Sequence, residues 1–366
     1  MSPTLTKDIA YKELQKFFGE TPMVLFGTGT SCALDSRYGM PGLQDQLFSE
    51  MLKICLSKPQ EEQWKAVVSA IRNGKDLESA MDMIRDDQIV KHIIRITADF
   101  VSTLDKEYSH KIMTGIVEWP ATGLFKKLID GLQGTDPVLH VATPNYDLLA
   151  EYAFEKAGIS YITGFVGGIC RHLDWQQCER GVTFVESIPI ASKLKKAPKF
   201  RKHIRLYKVH GSLNTFKIDN LVVENNAWLF DVPDGVERII ITPGTLKYKR
   251  LHQNRNDLLG KYDDAIEKHN AFLFIGFGFN DSQLNNSSLM RKLKEQKCPG
   301  LIITRDINKK IEELLRDCDN LWSVCKHQNE RDESTCIFNR KYTDRLTLAD
   351  KRLWDFHEFT KEIMGG

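Results

Sequence analysis

Four short apolar runs in this chain each end abruptly in glycine or small polar residues, and that recurrence constrains the fold more than any other feature. Met23-Val24-Leu25-Phe26 leads into Gly27-Thr28-Gly29-Thr30-Ser31, and residues 138–142 lead into Thr143-Pro144-Asn145-Tyr146-Asp147. Residues 204–209 lead into His210-Gly211-Ser212, and residues 271–275 into Gly276-Phe277-Gly278-Phe279-Asn280-Asp281. A short, uniformly apolar run bounded by turn formers fits a strand buried on both faces of a parallel sheet. Polar residues are costly in a packed core, so their joint occurrence after successive strands points to one shared site. In open α/β sheets that site lies at the carboxyl edge, where the loops converge.

Helical patterns separate the strands. Residues 7–18 put Leu14, Phe17 and Phe18 at helical spacing before Thr21-Pro22 stops them, and residues 61–71, 77–84, 87–104, 148–157 and 257–268 also read as helices. Ile239-Ile240-Ile241 and Leu301-Ile302-Ile303 add further strands. The alternation predicts an α/β fold, a doubly wound, Rossmann-like parallel sheet with a helical insertion. The expected divisions are an N-terminal helix in residues 1–22, the sheet core in 23–48 and 135–330, the insertion in 49–134 and a helical tail in 340–366. In that tail Leu353, Trp354, Phe356, Phe359 and Ile363 follow a helical pattern over residues 349–363. A chain of 366 residues suits one large core with such a module.

Several classes are disfavoured. The longest clean apolar run, residues 271–279, is far short of the roughly 20 residues that cross a bilayer, and the N-terminus lacks a basic-then-apolar leader pattern. A cytoplasmic protein without a membrane partner is expected. The eight cysteines show no regular framework, as expected of free thiols in a reducing compartment. Neither Cys170, His172 and Cys178 nor Cys318, Cys325 and His327 have the paired spacing of zinc modules, so no metal is expected. A net charge of +2 demands no nucleic-acid partner. The dense run Lys193, Lys195, Lys196, Lys199, Arg201, Lys202, Arg205 and Lys208 reads first as a solvated loop, and second as a contact for nucleic acid or an acidic partner.

Taken singly, each polar cluster has a plain reading beside the functional one. Glycines after the first strand let backbone N–H groups approach a pyrophosphate, yet equally make a tight strand exit, and Cys32 stands where a full dinucleotide fingerprint wants a third glycine or alanine. Asn145 and Asp147 are favoured helix caps, Asn280 and Asp281 suit a helix start, and an isolated His210 suits a structural role.

In combination these residues resemble the Sir2 superfamily. Its pattern is a glycine-alanine-glycine-x-serine turn, a threonine-x-asparagine-x-aspartate strand end, a histidine-glycine pair and a late glycine turn. Residues 27–31, 143–147, His210-Gly211 and residues 276–281 match it in order and spacing, and Gly39-Met40-Pro41-Gly42-Leu43 resembles the family's cofactor-binding loop. The resemblance covers roughly residues 23–305. Two departures bear on subclass. Family deacylases hold a structural zinc between the histidine and the late glycine turn, whereas no cysteine lies between His210 and Gly276. Their loop carries aspartate-phenylalanine-arginine after its proline, where this chain has Gly42-Leu43-Gln44.

The zinc-free pattern looks like Sir2-like effectors of bacterial antiphage defence, which hydrolyse NAD⁺. The resemblance thus implies an NAD⁺ hydrolase with NAD⁺ as substrate, some relatives pairing with a HerA-type ATPase. It implies a cofactor-binding set of Gly27, Thr28, Gly29, Ser31, Pro41, Thr143, Gly276, Gly278, Asn280 and Asp281. Asn145 is expected to hold the attacking water or ribose, His210 to act as base and Asp147 to order the loop or face the developing charge. Ser31 would hold phosphate, with Asn280 and Asp281 on the adenosine side. A zinc-free deacylase or ADP-ribosyltransferase and a non-catalytic nucleotide sensor are the alternatives. Because unregulated NAD⁺ hydrolysis is toxic, restraint by homo-oligomerisation or a blocked pocket is expected.

Overall fold

The computed structural model describes residues 3–190, 193–219, 221–240, 256–281, 283–327 and 334–365. The chain opens with α1 (Lys7–Phe17), whose first turn is capped by the Thr6 side chain accepting from the Ile9 N–H, and β1 (Met23–Phe26). Five helices follow: α2 (Gly29–Cys32), α3 (Met40–Met51), α4 (Lys58–Arg72), α5 (Leu77–Met81) and α6 (Asp87–Met113). Next come α7 (Thr122–Gly131), β2 (Val138–Thr143) and α8 (Leu149–Ala157), which ends on Gly158 in the left-handed conformation.

A strand-rich stretch succeeds them, with β3 (Tyr161–Ile162), β4 (Phe165–Gly167), β5 (Cys170–Leu173), α9 (Trp175–Gly181), β6 (Thr183–Ile190) and β7 (Lys193–Phe200). It continues through β8 (His203–Lys208), β9 (Gly211–Ile218), β10 (Leu221–Asn225) and β11 (Glu237–Ile240). The later elements are α10 (Asn256–Lys268), β12 (Phe272–Ile275), α11 (Ser287–Lys294), β13 (Gly300–Ile303), α12 (Lys309–Asp317) and β14 (Leu321–Lys326). β15 (Thr335–Phe338), β16 (Leu346–Leu348) and α13 (Phe356–Ile363) complete them.

The main sheet runs β16-β15-β14-β13-β12-β1-β2-β8-β3. It is parallel from β14 through to β3, and β15 and β16 add an antiparallel edge. The chain enters at β1, winds outward through β2 and β8, then returns to build β12, β13 and β14 on the other side. Strand order therefore reverses between β1 and β12. The α/β, doubly wound parallel architecture expected from the sequence is the one observed.

The strands read as continuous apolar runs because both faces are covered. Alternate residues enter two separate core layers. Val24, Phe26, Leu273, Ile275, Leu301 and Ile303 lie in one, with residues of α1, α7, α8 and α13. Met23, Leu25, Phe272, Phe274 and Ile302 lie in the other, with residues of α10, α11 and α12. In the first layer Trp119 stacks on Phe125 at 5.7 Å between ring centroids, and Phe154 of α8 meets both edge-on. Such ring pairs are worth about 0.5–1.5 kcal/mol each beyond area burial, and they seat α7 and α8 against the strand that carries the first glycine turn. Helices α3, α4 and α5 and the first half of α6 close around a third core containing Leu47, Trp64, Val67 and Ile93.

Several features depart from the sequence reading. A second, antiparallel sheet, β11-β9-β10-β5-β4, and the hairpin β6-β7 occupy residues to which the apolar pattern mostly gave no element. Their strands mix apolar with charged residues and lack a uniform apolar run. Ile239 and Ile240 belong to this second sheet, and Ile241 lies outside the described residues. The basic run splits between β7 and β8: Lys196, Lys199, Arg201 and Lys202 are exposed, whereas Arg205 pairs with Glu179 and Lys208 is only 4% exposed. The helical pattern of the tail begins only at Phe356, after β16 and a turn holding Leu353 and Trp354. All eight cysteines are free. No helix among the described residues is long and apolar enough to cross a membrane.

Candidate active site

Because β1, β2, β8 and β12 run parallel, the four polar clusters that follow them gather at one edge of the sheet. The first and last meet directly. Gly29 N donates to Gly276 O at 3.0 Å and Gly27 N to Ile275 O at 3.1 Å. A Cβ on Gly29 would lie 2.6 Å from Gly276 Cα, and one on Gly276, whose φ is +54°, would lie 2.6 Å from Thr30 N. Glycine is needed here so that two strand exits can touch at the point where strand order reverses. The N–H groups of Thr30 and Ser31 donate to Gly27 O and Thr28 O. Both donors are thus committed within the turn. Thr28 keeps a partly exposed side chain at the start of α2.

Asn145 is the hub of the site. Its Nδ2 donates to Gly27 O at 3.2 Å and to Ser31 Oγ at 3.1 Å, and its N–H donates to Thr143 Oγ1 at 3.1 Å. The residue is 6% exposed, and Oδ1 has no hydrogen-bond partner among the described residues. Ser31 passes its own hydroxyl hydrogen to Asp147 Oδ2 at 2.8 Å. Asp147 Oδ1 accepts the Leu149 N–H at 3.3 Å, so the capping and site readings of this carboxylate coexist.

Beneath Asp147 lies a buried charge cluster that local sequence gives no sign of. Lys208 Nζ donates to the Asp147 carbonyl and to Glu151 Oε1, the latter at 2.6 Å. Burial pushes the Asp147 and Glu151 carboxyls above the usual range, and the Lys208 ammonium opposes it in both. Asp105 on α6 accepts the Leu148 N–H at 2.8 Å and the Tyr152 hydroxyl at 2.6 Å, and burial lifts its carboxyl to about 7. Tyr38, just before α3, is buried in the field of Asp147 and Asp105.

His210 stands where the chain leaves β8 for β9, turning through Gly211 at a φ of +88°. Its Nε2 lies 2.9 Å from Asp281 Oδ2. Asp281, assigned from sequence to the adenosine side, also accepts the Gln283 and Leu284 N–H groups through Oδ1 at 2.8 and 3.1 Å, so its orientation is set by its own loop. The Tyr146 carbonyl accepts from Leu213 N at 3.0 Å, tying the Asn145 loop to the strand after His210. Gly278 O accepts Asn308 Nδ2 at 2.6 Å, and Asn280 is exposed. Pro41 departs from the loop expected: it sits exposed within the first turn of α3, after the Gly39 cap. Three cavities, of about 470, 530 and 240 Å³, are lined by neither Asn145 nor His210.

These strand ends define a doubly wound α/β protein with a polar, largely buried cluster at its topological switch point. Within it, residues 139–318 match the family described as SIR2-like domain. The match takes in Thr143, Asn145, Asp147, His210 and the whole 276–281 loop, while the first glycine turn lies before it. None of the curated proteins compared matches the chain. Among solved structures, one described as "Structural Basis for the Mechanism and Regulation of Sir2 Enzymes" is similar at 12% identity. It covers 86% of this chain and 91% of that chain, with a TM-score of 0.39.

Proposed function

We propose that this protein hydrolyses NAD⁺ to nicotinamide and ADP-ribose. The observation that carries the reading is the Asn145 amide, held by Gly27 and Ser31 through Nδ2 while Oδ1 is left to accept from a water or a ribose hydroxyl. The SIR2-like match over residues 139–318 supports it.

Breaking the bond between nicotinamide and ribose C1′ releases neutral nicotinamide and builds positive charge on the sugar. The work left to the protein is to position a water, stabilise that charge and receive a proton. Asn145 Oδ1 orients the water. The Asp147 carboxylate, shielded from solvent, offers negative charge. The water oxygen bonds to C1′, and His210 accepts its proton, with Asp281 stabilising the imidazolium.

The test is direct. Purified protein is incubated with NAD⁺, and nicotinamide and ADP-ribose are followed by chromatography for wild type, Asn145→Ala and His210→Ala. Release of both products that is lost in each variant supports the reading; no release under any condition, or release unchanged in both variants, overturns it. The resemblance extends the proposal to NAD⁺ depletion in antiphage defence, alongside a HerA-type ATPase and in a homo-oligomer. Burial of Asn145 and His210 supports a restrained resting state, and high turnover by an isolated monomer contradicts that part.

A further inference from the structure

Most of the basic run before His210 lies on the hairpin β6-β7, away from the residues given a role in NAD⁺ cleavage. Its strands pair with each other from Thr183 opposite Phe200 to Ile190 opposite Lys193, and with no third strand. Residues 183–202 hold six Lys or Arg and one Glu. That is a net charge of +5 within a chain whose total is +2, so the remainder is net acidic. Positive charge is thus gathered on one two-stranded ribbon and its exit.

Little of this charge is compensated. Lys196, Lys199, Arg201 and Lys202 are exposed. Lys199 pairs with Glu186 of β6. Lys202 Nζ donates to the Asp130 carbonyl at 2.7 Å, a neutral acceptor that leaves the charge in place. Lys196 and Arg201 have no carboxylate partner among the described residues. Side chains alternate between faces along a strand, so Lys196 and Lys199, three positions apart, stand on opposite faces and both are positive. Crowded exposed cations repel one another and attract a polyanion.

The form of the ribbon selects among polyanions. A protein partner adding a strand needs a free edge of N–H donors, but Pro189 in β6 and Pro198 in β7 remove a donor from each strand. Eight residues per strand reach about 26 Å at ~3.3 Å per residue. The major groove of B-form DNA, about 12 Å wide, admits a two-stranded β-ribbon, whereas that of duplex RNA is too narrow. Phosphates line both walls of the groove, which matches cations on both faces. Residues 183–200 contain no Asn, Gln or Arg, the side chains that read base edges through paired hydrogen bonds. Contact with phosphates alone carries no sequence preference.

We propose that the β6-β7 hairpin binds double-stranded DNA through its phosphates, lying in the major groove without regard to sequence. The site stands apart from NAD⁺ cleavage, and its test reads binding alone. The full chain is titrated into a fluorescently labelled DNA duplex of about two helical turns, and anisotropy is followed at several salt concentrations. Wild type is compared with Lys196→Glu/Arg201→Glu and with a charge-matched control, Lys12→Glu/Lys309→Glu, at exposed residues of α1 and α12. Saturable binding is expected, weakened at least about tenfold by the hairpin substitutions and less than about threefold by the control. The logarithm of the wild-type affinity should fall against that of salt with a slope of about −3 or steeper, and the hairpin variant should have a shallower slope. Three results overturn the proposal: no saturable binding at about 50 mM salt, equal losses in the two variants, or single-stranded DNA, duplex RNA or polyglutamate bound as tightly as the DNA duplex.

Discussion

Ser31 donates its hydroxyl to Asp147 across 116 residues of chain, at 2.8 Å, so the exits of β1 and β2 are joined by side chains as well as by the sheet. The same oxygen accepts from Asn145 Nδ2 at 3.1 Å. One hydroxyl thus sets the orientation of both an amide and a carboxylate.

Ser31→Ala removes a donor and an acceptor at once. It is expected to cost about 1–3 kcal/mol of stability, because two buried polar groups lose a partner. The proposed NAD⁺ cleavage should fall together with that loss, whereas Ser31→Thr should retain part of both. Chemical denaturation and nicotinamide release, measured on the same preparations, check this. An alanine variant as active and as stable as wild type contradicts it.

Lys208 is paired to Glu151 in the core, and removing one member of a buried pair typically costs about 3–5 kcal/mol. Lys208→Met should therefore lower the denaturation midpoint sharply. Lys208→Met combined with Glu151→Leu should recover most of the loss, since no uncompensated charge then remains. Strictly additive losses in the double variant argue against the pairing.

At the meeting of the two glycine turns, Gly276→Ala puts a Cβ 2.6 Å from Thr30 N at a φ of +54°. Clash and backbone strain together should cost about 2 kcal/mol or more. Gly260→Ala is the opposite case: the residue is exposed inside α10 with nothing within 4 Å of the added carbon. It should stabilise by up to ~1 kcal/mol through helix propensity. Melting temperatures of the two variants should move in opposite directions.

Asp105 gives stability a pH dependence of a defined sign. Its carboxyl moves from the usual 3.8 to about 7 on folding. Between those values the folded state binds more protons than the unfolded chain, so the contribution of Asp105 falls as pH rises and is lowest above 7. Asp105→Asn lacks this term. The stability of wild type relative to the variant should decline from about pH 5 to about pH 8, followed by thermal unfolding at each pH. A constant offset between the two proteins across that window contradicts it.

What the sequence made legible follows from how each part is buried. Met23–Phe26 could be bounded to the residue because a strand covered on both faces is apolar throughout and stops where it meets polar loops. Thr143, Asn145 and Asp147 stood out for the same reason, as polar residues at the end of such a strand. β9 and β10 were hidden because strands of a smaller antiparallel sheet mix Lys217, Asn214 and Glu224 with apolar residues. Lys208 was hidden by company, the last of a run of surface-like basic residues whose partner Glu151 lies 57 positions away. Asp105 gave no sign either, since an aspartate inside a helix pattern is normally solvated and only the packing of α6 against α8 buries it. The glycines announced a turn, but the backbone they approach belongs to a strand end far along the chain.

Helix α6 runs for 27 residues, about 40 Å at 1.5 Å per residue. Ile89, Ile93 and Ile96 belong to the helical bundle, while Leu104 and Ile112 belong to a layer of the main sheet. Asp105, in the same helix, holds the N–H of Leu148 at the start of α8. One continuous rod therefore crosses from the bundle to the underside of the loop that carries Asn145 and Asp147. Local opening of the bundle is therefore expected to unfasten the rod at one end and loosen the loop at the other, so that both exchange amide hydrogens as one cooperative unit. A load applied to the bundle is felt at Asp147 as a change in how firmly its loop is held.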